Sequence, residues 1–219
     1  MRHILSLSGG LDSAVLCAAL LAEHGPGSVD AVFFQYGSKH GPWEEKAAHA
    51  LAAHFSLQLT IIDLGGIFRH AQSALLASDT RAIPAQEYDA ASMKQTVVPG
   101  RNLMFASVLA SLAESRSIPK VALATHAGDH HLYPDCRPSF NQALDRVLEE
   151  SSGGATRIAT PFQHLSKSRI VALGASLGVP FALTRSCYSP EPVSCGLCGT
   201  CRERLQAFAD NGLTDPLPY

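Results

Sequence analysis

The sequence contains no run of about 18 apolar residues, so no membrane-spanning helix is expected. It also lacks an excess of positive charge, because 17 Lys and Arg residues stand against 19 Asp and Glu residues for a formal net charge of −2. No cluster of Lys or Arg is present to follow a phosphate backbone, and direct binding of nucleic acid is therefore not expected. The first residues reach a glycine pair before a signal-peptide core can form, which predicts a cytoplasmic protein.

The amino-acid composition is typical of a folded chain. Apolar residues make up 46% and charged residues 16% of 219 residues, which predicts one large globular domain, or one domain with a small appendage. In the cytoplasm the six cysteines are expected to be reduced, metal-bound or catalytic, and not joined in disulfides. With no basic excess, a substrate smaller than a polynucleotide is the better expectation.

Apolar periodicity alternates between strands and helices from the start of the chain. Strands are predicted at residues 3–7, 29–36 and 57–64, with helices between them at 13–22 and 42–55. This βαβαβ order predicts a Rossmann-like α/β fold, a parallel sheet with flanking helices. The same patterns predict helices at 67–76, 102–116, 138–150 and 166–177 and strands at 121–125 and 157–160. The polar stretch 78–94 is typical of a mobile loop over a site.

A glycine loop separates the first strand from the first helix. Its residues are Ser8, Gly9, Gly10, Leu11, Asp12 and Ser13. Glycines let the backbone approach an anion closely, and the positive end of a helix dipole favours phosphate at this position. The lysine of a Walker-type phosphate loop is missing, since Asp12 and Ser13 stand where Gly-Lys-Ser/Thr would be. Asp12 beside a polyphosphate is a suitable Mg²⁺ ligand, directly or through water.

Two glycines alone would be explained by a plain turn between a strand and a helix. The complete Ser-Gly-Gly-x-Asp-Ser segment, placed between those elements near the N-terminus, favours phosphate binding instead. It resembles the fingerprint of the N-type ATP pyrophosphatases, the PP-loop proteins, whose fold is adenine nucleotide alpha hydrolase-like. The resemblance implies chemistry at the α-phosphate of ATP, in which a carboxylate or carbonyl oxygen is adenylated and pyrophosphate leaves.

Four cysteines crowd the C-terminal part of the chain in the spacing C-x7-C-x2-C-x2-C. They are Cys187, Cys195, Cys198 and Cys201. Four thiolates at such spacing can complete a tetrahedral Zn²⁺ site, and with no open position the ion would be structural. Gly196 and Gly199 follow two of the ligands and free the backbone to turn N–H groups toward sulfur. Zn²⁺ binding is then expected to contribute directly to the folding of residues 185–205.

The cysteine spacing is also compatible with a different metal group or with none. An iron–sulfur cluster with four Cys ligands is the main competitor to zinc, and chance clustering of buried cysteines would need no metal. A zinc ribbon that contacts nucleic acid is a further alternative, for which the neighbouring sequence offers only Arg185, Arg202 and Arg204.

Four further segments narrow the resemblance. They are Val98-Pro99-Gly100-Arg101-Asn102-Leu103-Met104-Phe105, Tyr133-Pro134-Asp135-Cys136-Arg137, Ser186-Cys187-Tyr188 and Asp215-Pro216. Together with the glycine loop they resemble the 7-cyano-7-deazaguanine synthases, from residue 4 to near residue 210. Each segment alone is weak evidence for this family, but the combination is specific to it.

The resemblance implies an ATP-dependent ligase in two parts. A PP-loop catalytic domain would span residues 1–184, and a zinc-binding segment, residues 185–219, would pack on it. The enzyme would use ATP with Mg²⁺ to adenylate the carboxylate of 7-carboxy-7-deazaguanine, and ammonia would displace AMP to give the amide. A second activation would dehydrate the amide to the nitrile precursor of queuosine and archaeosine. The resemblance also suggests a homodimer.

The resemblance further implies roles for individual residues. The candidate catalytic residues are Asp12, Arg101, Asp135, Arg137 and Lys167. The two arginines would bind the substrate carboxylate or the phosphates bidentately, because a guanidinium matches either group. Asp135 would hold the guanine-like edge or a metal, and Lys167 would reach the α-phosphate. Candidate substrate contacts are Tyr133, Cys136, His126 and Asp129, and His40 matches a position near the nucleotide.

For several of these residues a purely structural role is the alternative. Arg101 would then be a helix N-terminal residue held by a core acid. Cys136 would be a buried thiol instead of a nucleophile that carries an intermediate. His126, with His130 and His131 near Asp129, would form a second metal site, a proton relay or only a polar loop.

The sequence departs from the resemblance between Asp129 and Tyr133. It has His-His-Leu there, in place of an aromatic followed by small residues ending in Gly. Because this segment borders the expected deazaguanine pocket, a second hypothesis concerns the acceptor. PP-loop relatives in bacterial antiviral operons imply transfer of the activated acyl group to another amine, such as a protein N-terminus. A third hypothesis is a nucleic-acid-binding zinc module, against which the net charge of −2 argues.

Overall fold

The computed structural model describes residues 1–84, 94–131 and 133–219, with the backbone alone at 130 and 131. Its centre is a five-stranded sheet in the order β3-β2-β1-β4-β5, and every neighbouring pair of strands is parallel. The strands are β1 (His3–Ser6), β2 (Val29–Gln35), β3 (Leu59–Asp63), β4 (Lys120–Ala122) and β5 (Arg157–Ala159). The predicted Rossmann-like α/β fold is therefore confirmed.

Helices cover both faces of the sheet. They are α1 (Leu11–His24), α2 (Gly41–His54), α3 (Gly65–Phe68), α4 (Arg101–Ser115), α5 (Pro138–Ser152), α6 (Lys167–Ser176) and α7 (Gly199–Ala209). Short 3₁₀ turns occupy Ala127–His131, Pro134–Cys136 and Phe181–Leu183. Among the described residues, no helix is both long and apolar enough to cross a membrane.

The alternation of side chains along β1 separates two apolar cores. Leu5 packs with α1, α2, α6 and α7 on one face, whereas Ile4 packs with α4 and α5 on the other. Both residues are fully buried, as expected for a central strand of a parallel sheet. The strand order reverses beside β1, and this reversal opens a crevice at the carboxyl ends of β1 and β4.

One predicted helix is wrong for most of its length. A helix was expected at 67–76, but α3 ends at Phe68. Beyond it, Ala74 N–H donates to the carbonyl of Gln95, and Leu76 bridges to Ser38. The Ser73 hydroxyl accepts from Leu75 N–H and so competes with helical hydrogen bonds. Of the loop predicted at 78–94, residues 85–93 lie outside the described residues.

The C-terminal segment is anchored by one buried arginine. Arg204, on α7, has no exposed surface and donates to Asp215 through Nε at 2.7 Å and Nη2 at 2.9 Å. Its Nη1 also donates to the Thr184 hydroxyl at 2.6 Å. Arg185 is 7% exposed. These two arginines are therefore structural, and the suggestion that they face nucleic acid is wrong.

The outer edge of β5 is occupied by a carboxylate. Asp145 on α5 accepts the outward-facing N–H of Ile158 at 2.8 Å. The same carboxylate accepts from Arg157 Nε at 3.0 Å, and Glu149 accepts from Arg157 Nη1 at 3.0 Å. The edge strand is thereby tied to the helix that covers it.

A buried histidine should make the fold sensitive to acid. His3 is 4% exposed and stacks on His24 with ring centroids 4.8 Å apart. Burial, and then the charge of His24, lower the pKa of His3 below its ordinary value of 6.5. As the pH falls through 6.5, the unfolded chain therefore takes up a proton before the folded chain does. His3 consequently lowers the free energy of unfolding below that pH.

We expect the variant His3→Phe, which can keep the ring stack but cannot titrate, to lose less stability than the wild type between pH 7 and 5. Urea unfolding at a series of pH values measures the difference, since other acid-sensitive groups are common to both proteins. Parallel pH curves for the two proteins would contradict the expectation.

Candidate active site

A cavity of ≈ 260 Å³ lies at the carboxyl ends of β1, β2 and β4. Its wall contains two groups of side chains that carry the chemistry. The first, called the ionic cluster, is Asp12, His126, Asp129, Lys167 and Glu203. The second, called the aromatic cluster, is Phe33, Phe34, Tyr36, Phe105 and Tyr188. The glycine loop contributes Ser8, Gly10, Leu11, Asp12 and Ser13 to the same wall.

The glycine loop is held by its own serines. Ser13 Oγ donates to the Gly10 carbonyl at 3.0 Å and accepts the Ser8 N–H at 3.2 Å. The Gly10 N–H lies 3.3 Å from Ser8 Oγ. Because α1 begins at Leu11, its unpaired N–H groups and the positive end of its dipole face the cavity. The loop can therefore receive an anion.

Gly9 could not be replaced without distortion. Its φ is +79°, and an added Cβ would lie 2.3 Å from the carbonyl oxygen of Glu44 on α2. Gly10 differs, since its φ is −76° and the nearest atom to an added Cβ is Ser8 Oγ at 3.2 Å.

We expect Gly9→Ala to lower the free energy of unfolding by about 2–4 kcal/mol, because a left-handed alanine that meets a backbone oxygen combines strain with overpacking. Gly10→Ala is the matched control and should cost about 1 kcal/mol or less as a poorer N-cap. Denaturant unfolding measures the free energy of unfolding of both variants. Equal losses would contradict the role assigned to the contact with Glu44.

Asp12 and Lys167 form the strongest contact in the ionic cluster. Lys167 Nζ lies 2.6 Å from Asp12 Oδ2, and Lys167 is the first residue of α6, after the N-cap Ser166. Burial opposes the charge on each group, yet Lys167 holds the pKa of Asp12 below its usual range. Burial likewise opposes the ammonium of Lys167, but Asp12 and Glu203 raise its pKa. The cavity therefore contains a charged ammonium beside the glycine loop.

The tautomer of His126 follows from its neighbours. The ring is 2% exposed, and its Nδ1 accepts the Gly128 backbone N–H at 3.1 Å. The proton of the neutral ring is therefore on Nε2, which faces Asp129 Oδ2 at 3.4 Å and Asp12 Oδ2 at 3.8 Å. A metal on Nε2 would require the ring proton on Nδ1, which already accepts the Gly128 N–H, so this arrangement disfavours the second metal site. The side chains of His130 and His131 lie outside the described residues.

Glu203 is a site residue that the sequence reasoning missed. It lies on α7, one turn beyond Gly199, and its Oε2 is 3.7 Å from Lys167 Nζ. Burial raises the pKa of Glu203, and Lys167 and His126 partly offset that effect. An added Cβ on Gly128 would lie 2.9 Å from Glu203 Oε1, so glycine makes room for this carboxylate. No local pattern marks Glu203, because folding of the cysteine segment brings it to the cavity.

Arg101 lies against Tyr36 of the aromatic cluster. The guanidinium carbon of Arg101 lies 5.7 Å from the centre of the Tyr36 ring, and Phe34 and Phe105 stack at 4.2 Å. Tyr133, whose hydroxyl is 3.3 Å from Thr96 Oγ1, completes this part of the wall. His40 also lines it, with Nε2 3.5 Å from Glu44 Oε1. A planar ring with one anionic substituent would fit such surroundings.

Asp135 and Arg137 lie apart from the other candidates. In the described wall of the cavity neither residue is present, whereas Tyr133 and Cys136 are. Asp135 Oδ2 accepts the Asn102 N–H at 3.2 Å, which satisfies a free donor in the first turn of α4. Burial, followed by the charges of Asp129 and Asp135, raises the pKa of Cys136, so its side chain is a thiol and not a nucleophilic thiolate.

The four C-terminal cysteines fit a tetrahedral metal. Their Sγ atoms all lie within 4.8 Å of one another, and sulfurs around Zn²⁺ are expected about 3.8 Å apart. Backbone N–H groups of Ser189 and Cys195 donate to Cys187 Sγ at 3.3 Å. Two more, from Leu197 and Cys198, donate to Cys195 Sγ. Such donors favour thiolates, so this cluster can hold a metal ion.

The fold and the glycine loop together define a class of protein, the PP-loop nucleotide-binding enzymes of the adenine nucleotide alpha hydrolase-like type. NMN synthetase from Francisella tularensis shares the fold, with a TM-score of 0.55 and 18% identity, over 97% of this chain and 78% of that one.

Sequence comparison is more specific. The profile of the family described as Queuosine biosynthesis protein QueC matches residues 2–212. The 7-cyano-7-deazaguanine synthase of Marinomonas sp. is 39% identical over 100% of this chain and 98% of its own length. That of Methanoregula boonei is 40% identical over 100% of this chain and 99% of its own length. The chain belongs to this family, which confirms the resemblance, and it is an enzyme of the synthase type in queuosine biosynthesis.

Proposed function

We propose that the chain is an ATP-dependent C–N ligase that converts 7-carboxy-7-deazaguanine, with ammonia, to the amide and then to 7-cyano-7-deazaguanine. The observation that carries this proposal is the contact of 2.6 Å between Asp12 and Lys167 at the glycine loop. It combines a carboxylate suited to Mg²⁺ with a fixed cation suited to phosphate, beside backbone N–H groups that can receive pyrophosphate. The relatives' name, 7-cyano-7-deazaguanine synthase, supports the choice of product.

We propose the following roles in adenylation. The substrate carboxylate oxygen attacks the α-phosphorus of ATP, the bond to pyrophosphate breaks, and pyrophosphate takes the electron pair. Lys167 stabilises the negative charge that develops on the α-phosphate, because it is charged and held before ATP arrives. Asp12 would hold Mg²⁺, which would supply neutralisation of the phosphate charge. Serines and N–H groups of the glycine loop bind the departing pyrophosphate.

The aromatic cluster is the proposed site of the deazaguanine ring. Stacking on Phe34, Phe105 or Tyr36 would bury the ring, and Arg101 would hold its carboxylate. Tyr133 and Cys136 then border the substrate, while Asp135 acts through its hydrogen bond to α4. Arg137 is exposed and is proposed to bind phosphate at the mouth of the cavity.

The amine is proposed to enter at Glu203. Asp12 already accepts from Lys167, and Asp129 faces the Nε2 proton of His126. Within the described part of the chain, Glu203 has its ionic contact at 3.7 Å and no closer donor, so it can accept an N–H from the incoming nitrogen. The nitrogen lone pair forms the C–N bond, the C–O bond to AMP breaks, and AMP takes the electron pair. The departing phosphate of AMP takes the proton that the nitrogen releases.

Three further assignments belong to the proposal. The ion at the cysteines is Zn²⁺ in a structural role, since four thiolates leave no open position. Residues 1–184 form the catalytic domain and 185–219 the zinc-binding segment packed on it. The enzyme acts as a homodimer in the cytoplasm.

The direct test is incubation with 7-carboxy-7-deazaguanine, ATP, Mg²⁺ and ammonium, with AMP and the nitrile followed by mass spectrometry. Two AMP are expected for each nitrile formed, one from each activation. Release of AMP that does not depend on the deazapurine would contradict the proposal. Amide without nitrile, together with a mass shift on a partner protein, would instead support transfer to another amine, which no contact among the described residues favours.

Glu203→Gln separates the amine step from adenylation. We expect this isosteric change to raise the KM for ammonium by about tenfold, the cost of one hydrogen bond to a charged group, because an amide is a weaker acceptor than a carboxylate. Exchange of pyrophosphate into ATP, which needs no amine, should change by less than about twofold. A loss in exchange equal to the loss in amide formation would mean that Glu203 only positions Lys167.

A further inference from the structure

One arginine joins the cysteine cluster to the glycine loop. Arg185 lies two residues before Cys187, is 7% exposed and lines the cavity. Its backbone N–H donates to the carbonyl oxygen of Gly9 at 2.7 Å. A residue of the metal-binding segment therefore holds the backbone of the loop that receives phosphate.

The side chain of Arg185 points away from the glycine loop and binds the stretch between Cys187 and Cys195. Its Nη1 donates to the carbonyl of Pro192 at 2.9 Å. Its Nη2 donates to the carbonyls of Ser189 and Glu191 at 2.8 and 2.7 Å. All three carbonyls lie between Cys187 and Cys195, so the guanidinium fits only when that stretch is folded around the metal site. Trp43 Nε1 adds a bond to the carbonyl of Pro190 at 2.6 Å.

The Gly9 carbonyl helps to fix the Gly10 N–H, which lies 3.3 Å from Ser8 Oγ on the cavity wall. A peptide unit is planar, so fixing the oxygen of Gly9 also fixes the direction of the Gly10 N–H on the opposite side. Gly9 has a φ of +79° and abuts Glu44, which leaves its conformation dependent on such contacts. If the stretch between Cys187 and Cys195 opens, Arg185 is released and the peptide between Gly9 and Gly10 loses the hydrogen bond to its oxygen, so that, among the described contacts, only that with Ser8 Oγ still holds it.

We propose that Arg185 is a positioning residue that couples metal binding at the cysteine cluster to ATP binding at the glycine loop. The inference rests on the proposed function, because it takes the loop to be the ATP site. Coupling between two sites is reciprocal, so ATP raises metal affinity by the same factor by which metal raises ATP affinity. We expect a factor of about ten, within the roughly 5- to 150-fold common for coupled sites.

The experiment uses the full chain loaded with one equivalent of Zn²⁺. A chromophoric chelator is titrated against it with and without a saturating α,β-methylene analogue of ATP and Mg²⁺. The wild type should require about tenfold more free chelator for metal release when the analogue is present. In Arg185→Gln, which loses the three carbonyl contacts, the analogue should no longer change the midpoint.

Two variants keep the result interpretable. Arg202→Gln is the matched control, since Arg202 donates to the carbonyl of Leu197 at 3.0 Å within the same segment, and it should retain the tenfold shift. Arg185→Lys keeps the charge but offers one nitrogen in place of the two that contact the three carbonyls, and with this fork lost it should lose the shift even where Arg185→Gln does not fold.

The outcomes are distinct. Equal metal release with and without bound analogue in the wild type would overturn the coupling. A shift that persists in the Arg185 variants would overturn the role of Arg185. Failure of the analogue to bind the zinc-loaded wild type, measured by calorimetry, would overturn the proposed function and the inference with it.

Discussion

Replacing Lys167 with methionine is expected to slow adenylation by about 10²- to 10³-fold, the usual cost of removing one preorganised group that stabilises transition-state charge. Methionine keeps most of the side-chain length and volume but removes the ammonium that lies 2.6 Å from Asp12 Oδ2. Exchange of labelled pyrophosphate into ATP, with the deazapurine acid present, measures the step directly. The analogue of ATP should still bind, because the glycine loop is unchanged.

Lys46→Met is the matched control for that variant. Lys46 is exposed on α2, with Nζ 5.5 Å from the centre of the Trp43 ring, and it does not belong to the described cavity wall. Its exchange rate should equal that of the wild type. If Lys167→Met exchanged pyrophosphate within about tenfold of the wild-type rate, Lys167 would not be the group that stabilises the α-phosphate.

Cys198→Ser is expected to abolish stoichiometric metal binding and to lower the free energy of unfolding by on the order of 5 kcal/mol. The reason is that metal binding supplies folding free energy to a segment that has little apolar core of its own. Cys198 is 4% exposed and precedes α7 as its N-cap residue, so a lost ligand also frees the helix that carries Glu203 and Arg204. Metal content by mass spectrometry and denaturant unfolding provide the two measurements.

Cys17→Ser makes the same chemical change away from the cluster. Cys17 is fully buried on α1, as its apolar surroundings in the sequence indicate, and a hydroxyl there should cost about 1–3 kcal/mol without altering metal content. Retention of one metal by Cys198→Ser, with a loss no larger than that of Cys17→Ser, would contradict a structural metal site.

Most of the sheet was predictable from the sequence, because parallel strands that are buried on both faces appear there as short continuous runs of apolar residues. β1, β2 and β5 begin at the predicted residues, and helices α1, α4 and α6 follow their periodicity closely. Helix α7 was not predicted. Its inner face carries Cys201 and Arg204 beside Ala207 and Phe208, so an apolar pattern is masked. Arg204 can be buried only because Asp215, eleven residues later, neutralises it, and no local pattern reveals that pairing.

The residues of the candidate site also fall into those that local sequence predicts and those that it does not. Residues in a contiguous motif, from Ser8 to Ser13 and the four cysteines, were found because their spacing itself carries the chemistry. Lys167 was found through the resemblance alone, since a single lysine at the start of a helix has no other mark. Asp135 reaches α4 across 33 residues of sequence, and Glu203 reaches the cavity only after the cysteine segment has folded. Long-range contacts of this kind need the structure.

The carboxylate of Asp145 at the edge of β5 has a consequence for self-association. A strand from a second molecule would need the Ile158 N–H as a partner, and that donor is already taken at 2.8 Å. Extension of the sheet from one subunit into another, and the edge-to-edge aggregation that follows from open strands, is therefore blocked on this side. Any contact between two copies at that end of the molecule would have to be built from side chains on helix or loop surfaces.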